Sequence, residues 1–208
     1  MYIAIIDYGI GNIKSVENAF KKISADVRVT DNIRIINNAH ALVLPGVGAI
    51  RDARRNLEEI KIIDSVKENI KKKLFLGICL GMQLLFEYSY EDGKNMGLGL
   101  LKGYVDKIPP LPVKVPHIGW NQLKILKKDS KLFSGIKEGE YFYFDHSYHV
   151  VPDDKGIISC TTDYGIQLTA GIEYDNIYGV QFHPEKSSNY GLKLLENFRD
   201  MVKEKGQR

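Results

Sequence analysis

Cysteine is scarce in this chain of 208 residues, and so is tryptophan: Cys79 and Cys160 are its two cysteines and Trp120 its single tryptophan. Two cysteines close one disulfide at most, which excludes a disulfide scaffold; with no sign of secretion, both read as free thiols of a reducing compartment. No apolar run approaches the roughly 18 residues of a membrane span. The opening MYIAIID lacks the basic segment and long apolar stretch of a secretory leader, so the expected location is the cytoplasm, away from membranes. An excess of one charge is missing too. With 29 basic and 26 acidic residues dispersed along the chain, the net charge of +3 points to no nucleic-acid partner, and the most basic stretch, KENIKKK, reads as a solvated helix end. His117, His146, His149 and His183 show neither the H-x-x-x-H nor the paired-cysteine spacing of zinc sites, so no metal is expected, and no motif calls for a cofactor.

What the chain does have is apolar content for one core. Hydrophobic residues make up 44% and charged residues 26%, which suits a single domain over residues 1–208 and is too little chain for two. In the first half, YIAIID (2–7), DVRVT (26–30), ALVLPG (41–46) and LFLGI (74–78) read as strands. NIKSVENAFKKI (12–23), with Ile13, Val16, Ala19, Phe20 and Ile23 on one face, AIRDARRNLEEI and IIDSVKENIKK read as the helices between them. This alternation predicts an α/β fold with a mostly parallel central sheet and helices on both faces. The second half turns to shorter strands, YFYFDHSYHV, GIISCTT and TAGIEYDNIYGV, and then a last helix, SNYGLKLLENFRDMVKEK, which predicts an antiparallel extension. No repeat, linker or domain boundary interrupts it.

One cysteine sits in an unusual frame. GICLGMQ (77–83) follows a buried strand and precedes the helix-compatible MQLLFEY, the pattern of a nucleophile elbow with cysteine in place of serine. Glycines at 77 and 81 relieve the crowding of a sharp strand-to-helix turn. Such a turn holds Cys79 at a helix N-terminus, where free N–H groups and the helix dipole favour the thiolate, and where the Leu80 N–H can hold an oxyanion. Without that frame, Cys79 would read as a small buried hydrophobe.

A thiolate nucleophile needs a base, and GVQFHPEK (179–186) supplies one. In an extended segment His183 and Glu185 point to the same side, while Pro184 keeps the histidine out of the helical region. The imidazole can take the thiol proton and return it to a leaving amine, with the carboxylate fixing its tautomer. In isolation, the same histidine would pass for a strand-end residue in an ordinary loop.

Together, GICLGMQLL and GVQFHPEKS resemble the class I glutamine amidotransferases. IDYGIGNIKSV, LPGVGAI, PHIGWN, HSYHV and GLKLLENF resemble the branch of that family that feeds a separate (βα)8 cyclase subunit in histidine biosynthesis, a likeness that runs from residue 3 to about residue 200. The resemblance implies a flavodoxin-like α/β fold and L-glutamine as substrate, hydrolysed to glutamate and ammonia without a cofactor. It assigns Cys79 as nucleophile, His183 as general base and acid, and Glu185 as its orienting partner. It implies a heterodimer in which the cyclase uses the ammonia to make imidazole glycerol phosphate and an aminoimidazole carboxamide ribotide. It also places Gly46, Val47 and Gly48 in an oxyanion loop beside Leu80, Gln83 against the substrate, and the backbone of Ser147 and Tyr148 at the substrate's amino-acid end. Asn12 and Trp120 fall at the partner interface, although a lone tryptophan equally suits a core. DYGIGN is no dinucleotide loop, because Lys14 stands where the third glycine of G-x-G-x-x-G belongs. Two further readings stay open: a paralogous glutaminase supplying another synthase, such as a sugar-amidating enzyme, and a non-catalytic binding subunit, against which the intact Cys79, His183 and Glu185 argue.

Overall fold

The computed structural model describes residues 1–110 and 113–206. The apolar runs of the first half form β1 (Ile3–Ile6), β2 (Val27–Thr30), β3 (Ala41–Leu44) and β4 (Leu74–Ile78). Helices α1 (Ile13–Lys22), α2 (Ile33–Asn38), α3 (Ile50–Glu59) and α4 (Ile63–Ile70) connect them, and a single turn of helix, α5 (Leu80–Gln83), follows β4. The second half adds β5 (Tyr88–Ser89), β6 (Asn95–Met96), β7 (Gly103–Lys107), β8 (His117–Gln122), β9 (Lys124–Ile125), β10 (Tyr141–His146) and β11 (Tyr148–Pro152). It ends with β12 (Ile158–Asp163), β13 (Gln167–Tyr174), β14 (Ile177–Val180) and the closing helix α6 (Ser188–Gly206).

The central sheet runs β2-β1-β3-β4-β14-β13-β12-β9. β2, β1, β3, β4 and β14 are parallel, and from β14 outward the strands alternate in direction, so the antiparallel extension continues the same sheet. Strand side chains alternate between two cores, as the period of two requires. Ile3, Ile5, Val43, Leu76 and Ile78 pack under α1 and α6, while Ala4, Ile6, Leu42, Leu44 and Phe75 pack under α2, α3 and α4. The predicted architecture, with helices on both faces, is the one observed.

Two local expectations differ. YFYFDHSYHV is two strands, with β10 pairing β8 in a two-stranded ribbon and β11 joining a small sheet of order β11-β7-β5-β6; Ser147 lies between them. The helix after Cys79 is also shorter than MQLLFEY suggested. The carbonyls of Leu84, Leu85 and Phe86 accept hydrogen bonds from the N–H groups of residues 98–101, which ends the helix after one turn.

Candidate active site

β1, β3, β4 and β14 are consecutive neighbours in the sheet, so the segments leaving their carboxyl ends meet. Those segments are DYGIGN, PGVG, the Cys79 turn and QFHPEK. Cys79 has φ 54° and ψ −110°, in the half of backbone space that a residue with a Cβ avoids, at a cost of about 1–3 kcal/mol. Its surroundings hold it there. Its N–H donates to the Val180 carbonyl at 2.7 Å, and its carbonyl accepts from Met82 and Gln83. The glycine frame works by contact, since a Cβ on Gly77 would stand 2.7 Å from the Gly81 carbonyl oxygen and one on Gly81 1.7 Å from that of Leu44. With one helical turn beyond Cys79, the local N–H groups of Leu80 and Gly81, which a first turn leaves without intrahelical acceptors, carry the electrostatics rather than a long helix dipole.

His183 and Glu185 meet as expected, by a different backbone path. His183 is extended at φ −100° and ψ 97°, as a residue before proline prefers, but Pro184–Lys186 form a 3-10 turn that brings the Glu185 Oε1 to 2.8 Å from His183 Nδ1. Both side chains are almost fully buried. The other ring nitrogen, Nε2, has no hydrogen-bond partner among the described residues, and the Cys79 sulfur stands close enough to act on its charge. Burial pulls the ring toward neutrality. The Cys79 sulfur and the Glu185 carboxylate outweigh it and push the His183 pKa up to about 10. The histidine's backbone is clipped in place: its N–H donates to Tyr143 at 2.8 Å, the Tyr143 N–H donates to the Ser187 hydroxyl at 2.9 Å, and that hydroxyl donates to the His183 carbonyl at 2.6 Å.

Cys79 opens into a cleft of about 310 Å³ walled by Val47, Gly48, Leu80, Gln83, Ser147 and Tyr148, all singled out in the sequence, together with Glu91, Asp145 and His146. Gly46 is wedged behind that wall, where a Cβ would meet the Tyr8 hydroxyl at 2.2 Å. Tyr8 donates to the Pro45 carbonyl at 2.8 Å, and burial, then the charge of Cys79, drives its phenol pKa well above the usual range. Gln83 donates to the Tyr148 carbonyl at 2.9 Å and to Gln181 at 3.0 Å, which leaves its Oε1 as an acceptor for the cleft.

Sequence reasoning missed Gln181 and Glu91. Gln181 Nε2 lies 3.5 Å from the Cys79 sulfur; the alternation that paired His183 with Glu185 also puts Gln181 on their side, and was the available signal. Glu91 accepts from the Ile50 N–H at 3.1 Å, and burial raises its pKa. A carboxylate at that end of the cleft suits an ammonium group, yet nothing in its sequence context marks it.

Trp120 is not a core residue. It is half exposed on the outer face of the β8–β10 ribbon with Ile118 and Tyr141, and its ring meets Tyr143 edge-on at 6.0 Å. Asn12 is exposed at the start of α1, and the turn Pro184–Lys186 touches both α1 and β10. Among the described residues no group of three or more His, Cys, Asp or Glu is arranged to hold a metal ion, and no helix is long and apolar enough to cross a membrane.

The sequence pattern of the family Glutamine amidotransferase class-I matches residues 4–201. The imidazole glycerol phosphate synthase subunit HisH of Aquifex aeolicus is 52% identical over 96% of this chain and 96% of its own. The subunit of the same name from Methanothermobacter thermautotrophicus is 50% identical over 97% of this chain and 99% of its own. Among solved structures, PurLQS from Thermotoga maritima superposes with a TM-score of 0.76 at 18% identity, covering 97% of this chain and 98% of that one, a likeness of fold.

Proposed function

The chain belongs to the class I glutamine amidotransferases, and from that premise we propose that it is the glutaminase subunit of an imidazole glycerol phosphate synthase. It hydrolyses L-glutamine to glutamate and ammonia, and passes the ammonia to a (βα)8 cyclase subunit in a heterodimer. The observation that carries the chemistry is the strained Cys79 beside a histidine whose other nitrogen is taken by Glu185 at 2.8 Å.

Cys79 attacks the side-chain amide carbon of glutamine, and the developing oxyanion is held by the Leu80 N–H and by the backbone of Val47 and Gly48. Once His183 has taken the Cys79 proton, the sulfur's charge and Glu185 favour the protonated ring, the form that protonates the departing ammonia. The glutamyl thioester that remains is neutral at sulfur. With the charge of Cys79 gone, burial is set against Glu185 alone, the histidine's pKa falls, and it can accept a proton from the water that frees glutamate. One residue therefore serves as acid and then base because its neighbour's charge changes between the two steps. Glu91 and the Ser147–Tyr148 backbone suit the ammonium and carboxylate of the substrate.

Glutamate release from glutamine by the purified chain, alone and with the cyclase subunit and its nucleotide ligand, tests this reading. Strong stimulation by the pair is the expected outcome. Rapid hydrolysis by the lone chain, or background activity with the cognate cyclase, would count against it.

A further inference from the structure

On the inner face of the β8–β10 ribbon, three side chains form a hydrogen-bond chain ending at the cleft. Asn121 Nδ2 lies 3.3 Å from His117 Nε2, His117 Nδ1 3.1 Å from His146 Nε2, and His146 Nδ1 2.9 Å from the Tyr148 carbonyl oxygen. The direction of each proton follows from what each atom can do. A carbonyl only accepts, so His146 donates from Nδ1; its Nε2 then accepts, so His117 donates from Nδ1 and accepts at Nε2 from the Asn121 amide. Asn121 is oriented independently, because its Nδ2 also donates to the Asp163 carbonyl at 2.8 Å and its Oδ1 accepts from the Gln122 N–H at 2.8 Å. Both rings are buried, and His117 is stacked against Tyr164 and Phe144 at 3.9 and 4.6 Å. Burial also keeps both uncharged, which the chain of single donors requires.

The Tyr148 carbonyl also accepts from Gln83, so two donors fill both its lone pairs and fix the backbone of the cleft wall there. We propose that His146, backed by His117 and Asn121, is a positioning residue that holds the Ser147–Tyr148 backbone in the orientation that receives the amino-acid end of the substrate. This rests on the glutaminase reading. His146 makes no hydrogen bond to Cys79 or His183, so its loss acts on substrate binding more than on the chemical step.

The test is steady-state glutamate release by the complex of this chain with its cyclase partner. His146→Phe should raise the KM for glutamine about tenfold, the scale of one lost hydrogen bond to a buried carbonyl, with kcat falling far less. His146→Asn, whose amide nitrogen reaches the place of Nδ1, should return KM to within about threefold of the wild type. Ammonia-supported turnover by the same complexes verifies that each variant folds and docks. Should the phenylalanine variant misfold, His146→Gln, which carries its amide to the Nε2 position, should raise KM likewise. An unchanged KM, a fall confined to kcat, or an asparagine variant as impaired as the phenylalanine one overturns the proposal. A wild-type complex without glutamine-dependent glutamate release overturns the glutaminase reading, and this inference with it.

Discussion

Gly81 leaves no room for a methyl group between α5 and β3, so Gly81→Ala must move one of them. Overpacking of this kind costs about 1–3 kcal/mol, read as a lower urea midpoint, and because the displaced turn carries Cys79 and Leu80, glutamate release should fall by more than the stability loss explains. Ser187 has a comparable claim on the histidine. Its hydroxyl accepts from the Tyr143 N–H and donates to the His183 carbonyl, which also accepts from the Lys186 N–H at 3.1 Å, so Ser187→Ala strips the Tyr143 N–H of this acceptor and leaves the His183 carbonyl with one donor. That costs about 1–3 kcal/mol and should lower kcat, since the loosened backbone is the one that aims the ring. Cys79→Ala should end glutamine-dependent turnover while the complex still forms and still runs on free ammonia; if free ammonia also fails, the division of labour between the subunits is wrong.

At the level of elements, the sequence was most legible where periodicity and burial coincide. β1, β3 and β4 are apolar on both faces because both faces are covered, and α1 shows its stripe because one face is not. Where tertiary contacts decide, periodicity had nothing to report. The alternation of buried Phe142, Phe144 and His146 runs on in phase to Val150 and Pro152 across the break at Ser147, so no pattern marks the change of sheet. α2 buries only Ile36 and starts at an Asn32 cap, too little to stand out. In the site, the local motifs around Cys79 and His183 were readable because each is a few residues long. Glu91 was not, because its position in the cleft depends on a hydrogen bond to α3, 41 residues earlier. The ribbon's outer face yields its own prediction. Trp120→Ala should weaken docking to the cyclase by about 2 kcal/mol or more, the scale of a central aromatic anchor, measured by titration calorimetry, while a change smaller than threefold in affinity would remove Trp120 from the interface.

For the whole molecule, the two buried histidines set an acid limit. Burial lowers His117 to about 4 and His146 to about 3, from an ordinary 6.5. Between about pH 6.5 and 4 the unfolded chain therefore binds protons that the folded chain refuses, and stability falls as pH falls, by on the order of 1 kcal/mol per pH unit for each ring. Urea midpoints at pH 7, 6 and 5 should drop more steeply for the wild type than for the double variant His117→Asn, His146→Asn; parallel slopes would show that other groups govern acid unfolding. The same two rings sit on a ribbon whose opposite side carries Ile118, Trp120 and Tyr141. A single-residue insertion or deletion in 117–122 or 141–146 would turn that ribbon inside out, sending His117 to solvent and Trp120 into the interior. The number of residues in these two strands is therefore as tightly constrained as the identity of His146 or Trp120.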